Sequence, residues 1–349
     1  MASDARLDRA IPTIVDVAAR AGVSKATASR VLAGSRDRVS DGLAARVLEA
    51  ASKLNYVPNR NARALARSES DTIGLIVHDV SDPYFSEIAR GVLAAAAAED
   101  RLVVICNTYR DPAAEARYIA ELRAQRVSAV LLAGSAYVDD EARAMLHRQL
   151  ELTIAAGAKV VVMAPHGIGR SVLPDNRGGG ELAARHLADL GHRHVTVAAG
   201  PANLATVMNR LDGFLAVWRA AGLPEPFVTY TTFDRAGGQE AVRTIASAAP
   251  TTTALFALND LMAIGAMREL ADMGGVAGVD LSIIGFDDIP AAGDMTPGLT
   301  TIRVPMEQLG RRAFAVLGDE AGGASEVFGC ELVVRGTTRR LERQSTRQG

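Results

Sequence analysis

Three short helical patterns open the chain. Ile14, Val17, Ala18 and Ala21 fall on one face of a helix that Thr13 can cap. Gly22 stands where a chain leaving a helix turns left-handed. Ser24 can cap a second helix, which buries Ala28, Val31 and Leu32 and turns Lys25, Ala26, Ser29 and Arg30 outward. Ser40 can start a third helix over 41–54, with Ala44, Val47, Leu48, Ala51 and Leu54 on one face. Together they predict a small all-α module with one core. Pro58 ends that order. Asn59 can cap a helix of one to two turns with Arg60, Arg63 and Arg67 on polar faces and Leu65 apolar. A helix that short is unstable alone in water, so it must fold on a partner.

From Thr72 the pattern changes to short apolar strands alternating with helices. Strands are predicted at 73–77, 103–107, 129–132 and 159–163, with helices at 83–99, 112–125 and 140–150. A second series puts strands at 195–199, 228–231, 254–257 and 282–286, with helices at 178–190, 206–221, 236–247 and 261–273. A helix at 306–317 and a strand at 331–335 return the chain across a hinge. The pattern predicts an α/β body of two parallel-sheet lobes. The expected boundaries are 1–58 for the helix-turn-helix domain, 59–70 for a hinge helix and linker, and 71–349 for the body. Its first lobe covers about 71–171 plus 303–330, and its second about 172–302 plus 331–340.

Charge sharpens the reading of the first module. Residues 1–70 hold 12 Lys and Arg against 7 Asp and Glu, whereas the other 279 hold 26 against 33. A net charge of −2 therefore hides a basic head on an acidic body. A short helix with small, polar and basic residues on its free face suits the DNA major groove, and the basic head suits phosphates. The two cysteines, Cys106 and Cys330, have no CxxC or zinc-ligand spacing, which fits a reducing cytoplasm. No secretory signal or membrane-spanning run is expected.

Ligands of such sheets bind at the carboxyl ends of the strands. Five such ends carry chemistry: Asp79 with Asp82, Tyr84 and Phe85; Asp175-Asn176; Arg210, read as opening a turn-helix at 210–214; Asn259-Asp260; and Asp287-Asp288. Carboxylates, an amide and a guanidinium around rings suit a polyhydroxylated or heterocyclic small molecule. Singly, Asp82, Asn176 and Asp260 are readable as helix caps, and Phe85 and Trp218 as core. Gly178-Gly179-Gly180 reads as close packing at a helix start. His186, His192 and His194 are expected to diverge rather than hold a metal. The chain has no GxSxG, GK[ST] or HExxH signature, so no catalytic residue, cofactor or metal is assigned.

These residues resemble the LacI/GalR family of bacterial transcriptional repressors over about residues 13–337. The marks are Thr13-Ile14-Val15-Asp16-Val17-Ala18, Ala21-Gly22-Val23-Ser24, Thr27-Ala28-Ser29-Arg30-Val31-Leu32 and Tyr56-Val57-Pro58-Asn59 with Ala62-Arg63-Ala64-Leu65. Further on come Ala199-Gly200-Pro201, Gly213-Phe214, Gly285-Phe286-Asp287-Asp288 and Leu332-Val333-Val334-Arg335. The resemblance implies a cytoplasmic homodimer on a pseudo-palindromic operator in double-stranded DNA. It also implies a periplasmic-binding-protein-like sensor for a sugar or related effector, without membrane attachment. Carried onto matching positions, Lys25, Ala26 and Arg30 resemble a base-reading face. Thr13, Thr27, Ser29 and Asn59 resemble phosphate or groove contacts, beside Ser24 and Arg63, and Leu65 resembles a minor-groove wedge. Asp82, Tyr84, Phe85, Arg210, Phe233, Asn259 and Asp287 resemble effector contacts. Asp82 stands where the family often has asparagine, and His78 beside it is unusual. The rival readings are a transporter's solute-binding receptor, which leaves the basic head unexplained, and a sugar-modifying enzyme, which lacks a catalytic pair.

Overall fold

The structure, a computed structural model, describes residues 12–34, 39–57, 71–319 and 325–341. The chain forms two compact units, 1–71 and 72–349. The hinge helix expected over 59–67, with Asn59, Arg63 and Leu65, lies outside the described residues.

The first unit holds helices α1 (Ile14–Ala21), α2 (Lys25–Leu32) and α3 (Asp41–Lys53). Thr13 Oγ1 accepts from Asp16 N, and the Asp16 carboxylate accepts from Thr13 N at 2.7 Å, so each satisfies the other's free donor. Gly22 takes the left-handed conformation, with φ 65°, that lets α2 turn away from α1. The core is small: Val17, Val31 and Val47 among six alanines. Two details differ from expectation. Leu48 is half exposed and Ala50 takes its place on the buried face, because the stripe follows Ala44, Val47, Ala50 and Ala51. Ser40 occupies the N-cap of α3, but only its carbonyl, not its hydroxyl, serves the helix.

The second unit is built on two six-stranded sheets. The first contains β1 (Thr72–Val77), β2 (Leu102–Asn107), β3 (Ala129–Leu132), β4 (Lys159–Val162), β5 (Arg170–Pro174) and β11 (Glu326–Phe328), in the order β11-β5-β4-β3-β1-β2. The second contains β6 (Val195–Ala199), β7 (Phe227–Tyr230), β8 (Ala254–Ala257), β9 (Ser282–Asp287), β10 (Thr300–Arg303) and β12 (Glu331–Val333), in the order β12-β10-β9-β8-β6-β7. Every pair is parallel except β10 with β12. Parallel strands must be covered on both faces, so β3, β6 and β8 are buried along their whole length.

Helices α4 (Pro83–Ala98), α5 (Pro112–Ala124), α6 (Asp140–Ala155) and α12 (Met306–Ala315) belong to the first lobe. Helices α7 (Asn176–Asp189), α8 (Ala205–Ala220), α9 (Arg235–Ala248), α10 (Asp260–Asp272) and the short α11 (Pro290–Asp294) belong to the second. The chain passes between lobes three times: after β5, after β10, and from β11 to β12. Strand β5 pairs with β4 and β11, so the first lobe extends through Pro174 rather than ending near 171. Arg210 lies inside α8 rather than opening a turn, because that helix starts five residues earlier. Helix α7 starts at Asn176, with Asp175 accepting from Gly178 N at 2.8 Å.

Two of the second lobe's histidines have separate partners. His192 is buried; its Nε2 donates to the Arg339 carbonyl at 3.2 Å and its Nδ1 meets the Thr253 hydroxyl at 2.9 Å. His186 Nε2 meets Thr338 instead. Burial pushes the His192 imidazole down to about 4 from its usual 6.5. Between those values the unfolded chain binds the proton and the folded chain does not, so folding stability is lost as pH falls from 6.5 towards 4. Urea unfolding should therefore show stability at pH 5 below that at pH 7, with about 1–2 kcal/mol of the loss due to this site. His192→Gln should remove that part of the slope; an unchanged slope would refute the assignment.

Candidate functional site

A cavity of about 460 Å³, open mouth included, lies between the two lobes. All seven residues expected to meet a small molecule line it: Asp82, Tyr84, Phe85, Arg210, Phe233, Asn259 and Asp287. The first lobe also contributes His78, Arg110, Ser135 and Met163, and the second Leu204 and Thr206. None of these six was singled out as a contact. His78 had one signal, its place directly after β1. Arg110 had none, because it reaches the cavity from a turn whose residues Tyr109 and Arg110 take φ 52° and 61°.

Arg210 is the centre of the second lobe's wall. Its side chain is 2% exposed, and an unpaired guanidinium there would cost several kcal/mol. Nε donates to Asn176 Oδ1 at 2.8 Å, Nη1 to the Leu258 carbonyl at 2.5 Å and Nη2 to Asp287 Oδ1 at 2.8 Å. The guanidinium lies over the Phe286 ring, 3.7 Å from its centroid. These contacts use three of its five N–H groups, and Arg210 also lines the cavity.

Asp287 ends β9 at φ 111°, and Asp288 follows at φ 56°. Such backbone costs about 1–3 kcal/mol per residue and persists only where neighbours hold it. Here Arg210 holds Asp287, while Arg303 and Arg335 both grip the Asp288 carboxylate at 2.7 Å. Burial pushes the Asp287 carboxyl up to about 7, with Arg210 opposing the rise. Asp82 is also raised by burial; Arg110 counteracts this only from 3.5 Å.

The cap reading holds at Asp82, while the caps read at Asn176 and Asp260 fall one residue earlier, on Asp175 and Asn259. Asp82 Oδ1 accepts from Tyr84 N at 3.0 Å as the N-cap of α4, and the same carboxylate faces the cavity. Asn259 Oδ1 caps α10 by accepting from Met262 N, while Nδ2 donates to the Phe233 carbonyl at 3.2 Å. Two of the strand-end residues serve elsewhere. Asp260 accepts from Thr301 Oγ1 and Ile289 N in the core, and Asp79 accepts from Ser81 in a surface turn. Asn176 reaches the site only through Arg210. Trp218 is core, stacked on Phe214 and donating to the Pro224 carbonyl. Acceptors on both walls, a guanidinium and the rings of Tyr84, Phe85 and Phe233 together suit a small molecule rich in hydroxyls.

In the first unit, α2 leaves Lys25, Ala26, Ser29 and Arg30 exposed and Thr27 half-buried. The Thr13 and Ser24 hydroxyls are engaged at the helix starts, Thr13 with Asp16 and Ser24 with Thr27. Lys25 and Arg30 form no ion pair with a described residue. The free face of α2 is thus small, polar and cationic.

Comparison with known proteins bears on both units. Residues 13–59 match the family model described as "Bacterial regulatory proteins, lacI family". Residues 70–325 match "Periplasmic binding proteins and sugar binding domain of LacI family". The HTH-type transcriptional repressor CytR of Escherichia coli K12 is 34% identical, over 94% of this chain and 97% of that one. The ribose operon repressor of the same strain is 33% identical, over 87% and 92%. The lac repressor dimer bound to operator and the anti-inducer ONPF superposes with a TM-score of 0.82 at 27% identity, covering 95% and 100%. With both units matched and identity above 30% along nearly the whole length, this chain belongs to the LacI family of bacterial regulatory proteins.

Proposed function

We propose that this chain is a cytoplasmic, operator-binding transcriptional repressor whose DNA affinity is set by a sugar or sugar derivative held between its lobes. The observation that carries the reading is the buried Arg210–Asp287 pair, which lines a ring-walled cavity between the lobes. A chain whose only task was DNA binding would have no use for it. The helix-turn-helix with its free cationic face supplies the other half, which a solute receptor would not need. The relatives' names agree: one is a transcriptional repressor and one controls a ribose operon. The lac repressor structure is a dimer on its operator.

In this reading Lys25, Ala26 and Arg30 meet base edges, and Thr13, Ser24, Thr27, Ser29, Asn59 and Arg63 meet phosphates or groove walls. Leu65 wedges into the minor groove at the operator centre. Two copies bind a pseudo-palindromic site through paired sensor units; sedimentation as a tetramer would contradict that assembly. The effector acts by its differential affinity for two lobe arrangements, because equal affinity would shift nothing.

Two experiments test the two ends. Arg30→Ala should cost about 1–3 kcal/mol of operator affinity and relax the preference at one base pair per half-site. Selection from randomised operators reads this, and an unchanged preference would remove Arg30 from the reading face. For the cavity, thermal-shift screening of sugars, polyols and nucleosides identifies a stabilising ligand by mass action. Asp287→Asn keeps an acceptor for Arg210 but loses the carboxylate, and should weaken that ligand by roughly 10–100-fold in calorimetry. Operator affinity of the free protein should stay the same. Normal ligand affinity in this variant would mean that the effector sits elsewhere.

A further inference from the structure

Behind the cavity wall lies a polar cluster that the reading above does not use. Glu115, on α5, is fully buried. Its Oε2 accepts from the Tyr137 phenol at 3.1 Å and stands 3.6 Å from His78 Nε2. Oε1 of Glu115 and Nε2 of both His78 and His166 hydrogen-bond to no described residue. Among the described residues no group of His, Cys, Asp and Glu is placed to hold a metal ion. A buried carboxylate is costly and is retained only where something holds it.

Tyr137 supplies the connection. It lies in residues 135–138, which leave β3 and reach the other lobe. Tyr137 forms an isolated antiparallel bridge with Leu204, the N-cap residue of α8. Val138 N donates to the Asn203 carbonyl and Ala205 N to the Ala136 carbonyl, both at 2.8 Å. Thr206 N donates to Ser135 Oγ at 3.1 Å. None of the three chain crossings passes here, so this is a non-covalent clasp between lobes. His78 lines the cavity, and its ring centroid lies 5.6 Å from that of Phe85 and 6.1 Å from that of Tyr137. A Cβ at Gly134, just before the clasp, would fall 2.4 Å from His78 Nε2. The imidazole therefore touches the cavity on one side and the clasp and Glu115 on the other.

We propose that Glu115 and Tyr137 are positioning residues that tie the cavity wall at His78 to the clasp holding the lobes together. An occupant that displaces His78 thereby changes lobe closure. The role of an occupant rests on the effector reading, but the tie does not, and it is tested on the full chain without ligand.

Hydrogen–deuterium exchange reads the clasp at the amides of Val138 and Ala205. Tyr137→Phe keeps the ring and removes the phenol. It should speed exchange at both amides roughly tenfold or more, with β1 and β8 unchanged. Glu115→Ala should do the same. Glu115→Gln retains an acceptor for Tyr137 and a polar group towards His78, and should return exchange close to that of the parent. His78→Ala should loosen the clasp as Tyr137→Phe does. Parental exchange at the clasp in Tyr137→Phe or in His78→Ala overturns the proposal. So does a uniform rise across both lobes, which would mark general loosening. Should Glu115→Ala fail to fold, the contrast between Tyr137→Phe and Glu115→Gln still decides the matter.

Discussion

The second lobe is organised around one buried guanidinium. Arg210 joins the start of α7, the residue after β8 and the end of β9 through single hydrogen bonds to Asn176, Leu258 and Asp287. The helix carrying it can come close enough only because two glycines face it and its neighbour. A Cβ on Gly180 would lie 2.1 Å from the Arg210 carbonyl, and one on Gly213 would lie 2.0 Å from the Arg177 carbonyl. The strained backbone at Asp287 and Asp288 is held by arginines on both residues. Remove the guanidinium, and a largely buried carboxylate, amide and carbonyl lose their partner.

The two walls of the cavity are not equivalent. On the second lobe, the charged pair sits at 2.8 Å with its geometry fixed from several directions. On the first lobe, Asp82 and Arg110 are 3.5 Å apart, and Arg110 reaches over to the Phe233 ring of the opposite lobe. The pair on the second lobe is the more closely held of the two.

Much of this was legible in the sequence, for identifiable reasons. Strands β3, β6 and β8 have the expected boundaries because each is an apolar run on a fully covered sheet. Thr13, Gly22 and Ser24 act locally, and local chemistry is readable. The missed strands are β10 and β11, of four and three residues, while β5 was read only at its end, before Asp175; such runs are too short for periodicity and form by pairing with distant segments. Helix α6 continues to Ala155, past the predicted end at 150, because its last buried position is Thr153, a polar residue that an apolar pattern does not mark, so the reading stopped short. Among the cavity residues, Asp82, Asn259 and Asp287, polar residues at or just beyond strand ends, were legible. Arg110, Leu204 and Thr206 were not, since tertiary packing alone brings them there.

The triple passage between lobes has a consequence for how the chain is made. The first sheet starts at residue 72 but takes its edge strand from 326–328, and α4 is covered by α12, more than 200 residues later. The second sheet likewise waits for β12 at 331–333. Neither lobe has all its strands until nearly the whole polypeptide has left the ribosome. Contacts this distant in sequence form slowly and leave apolar strand edges bare in the meantime. Synthesis of this protein should therefore lean on chaperones, and a nascent chain stopped before residue 326 should carry two unfinished lobes rather than one finished and one missing.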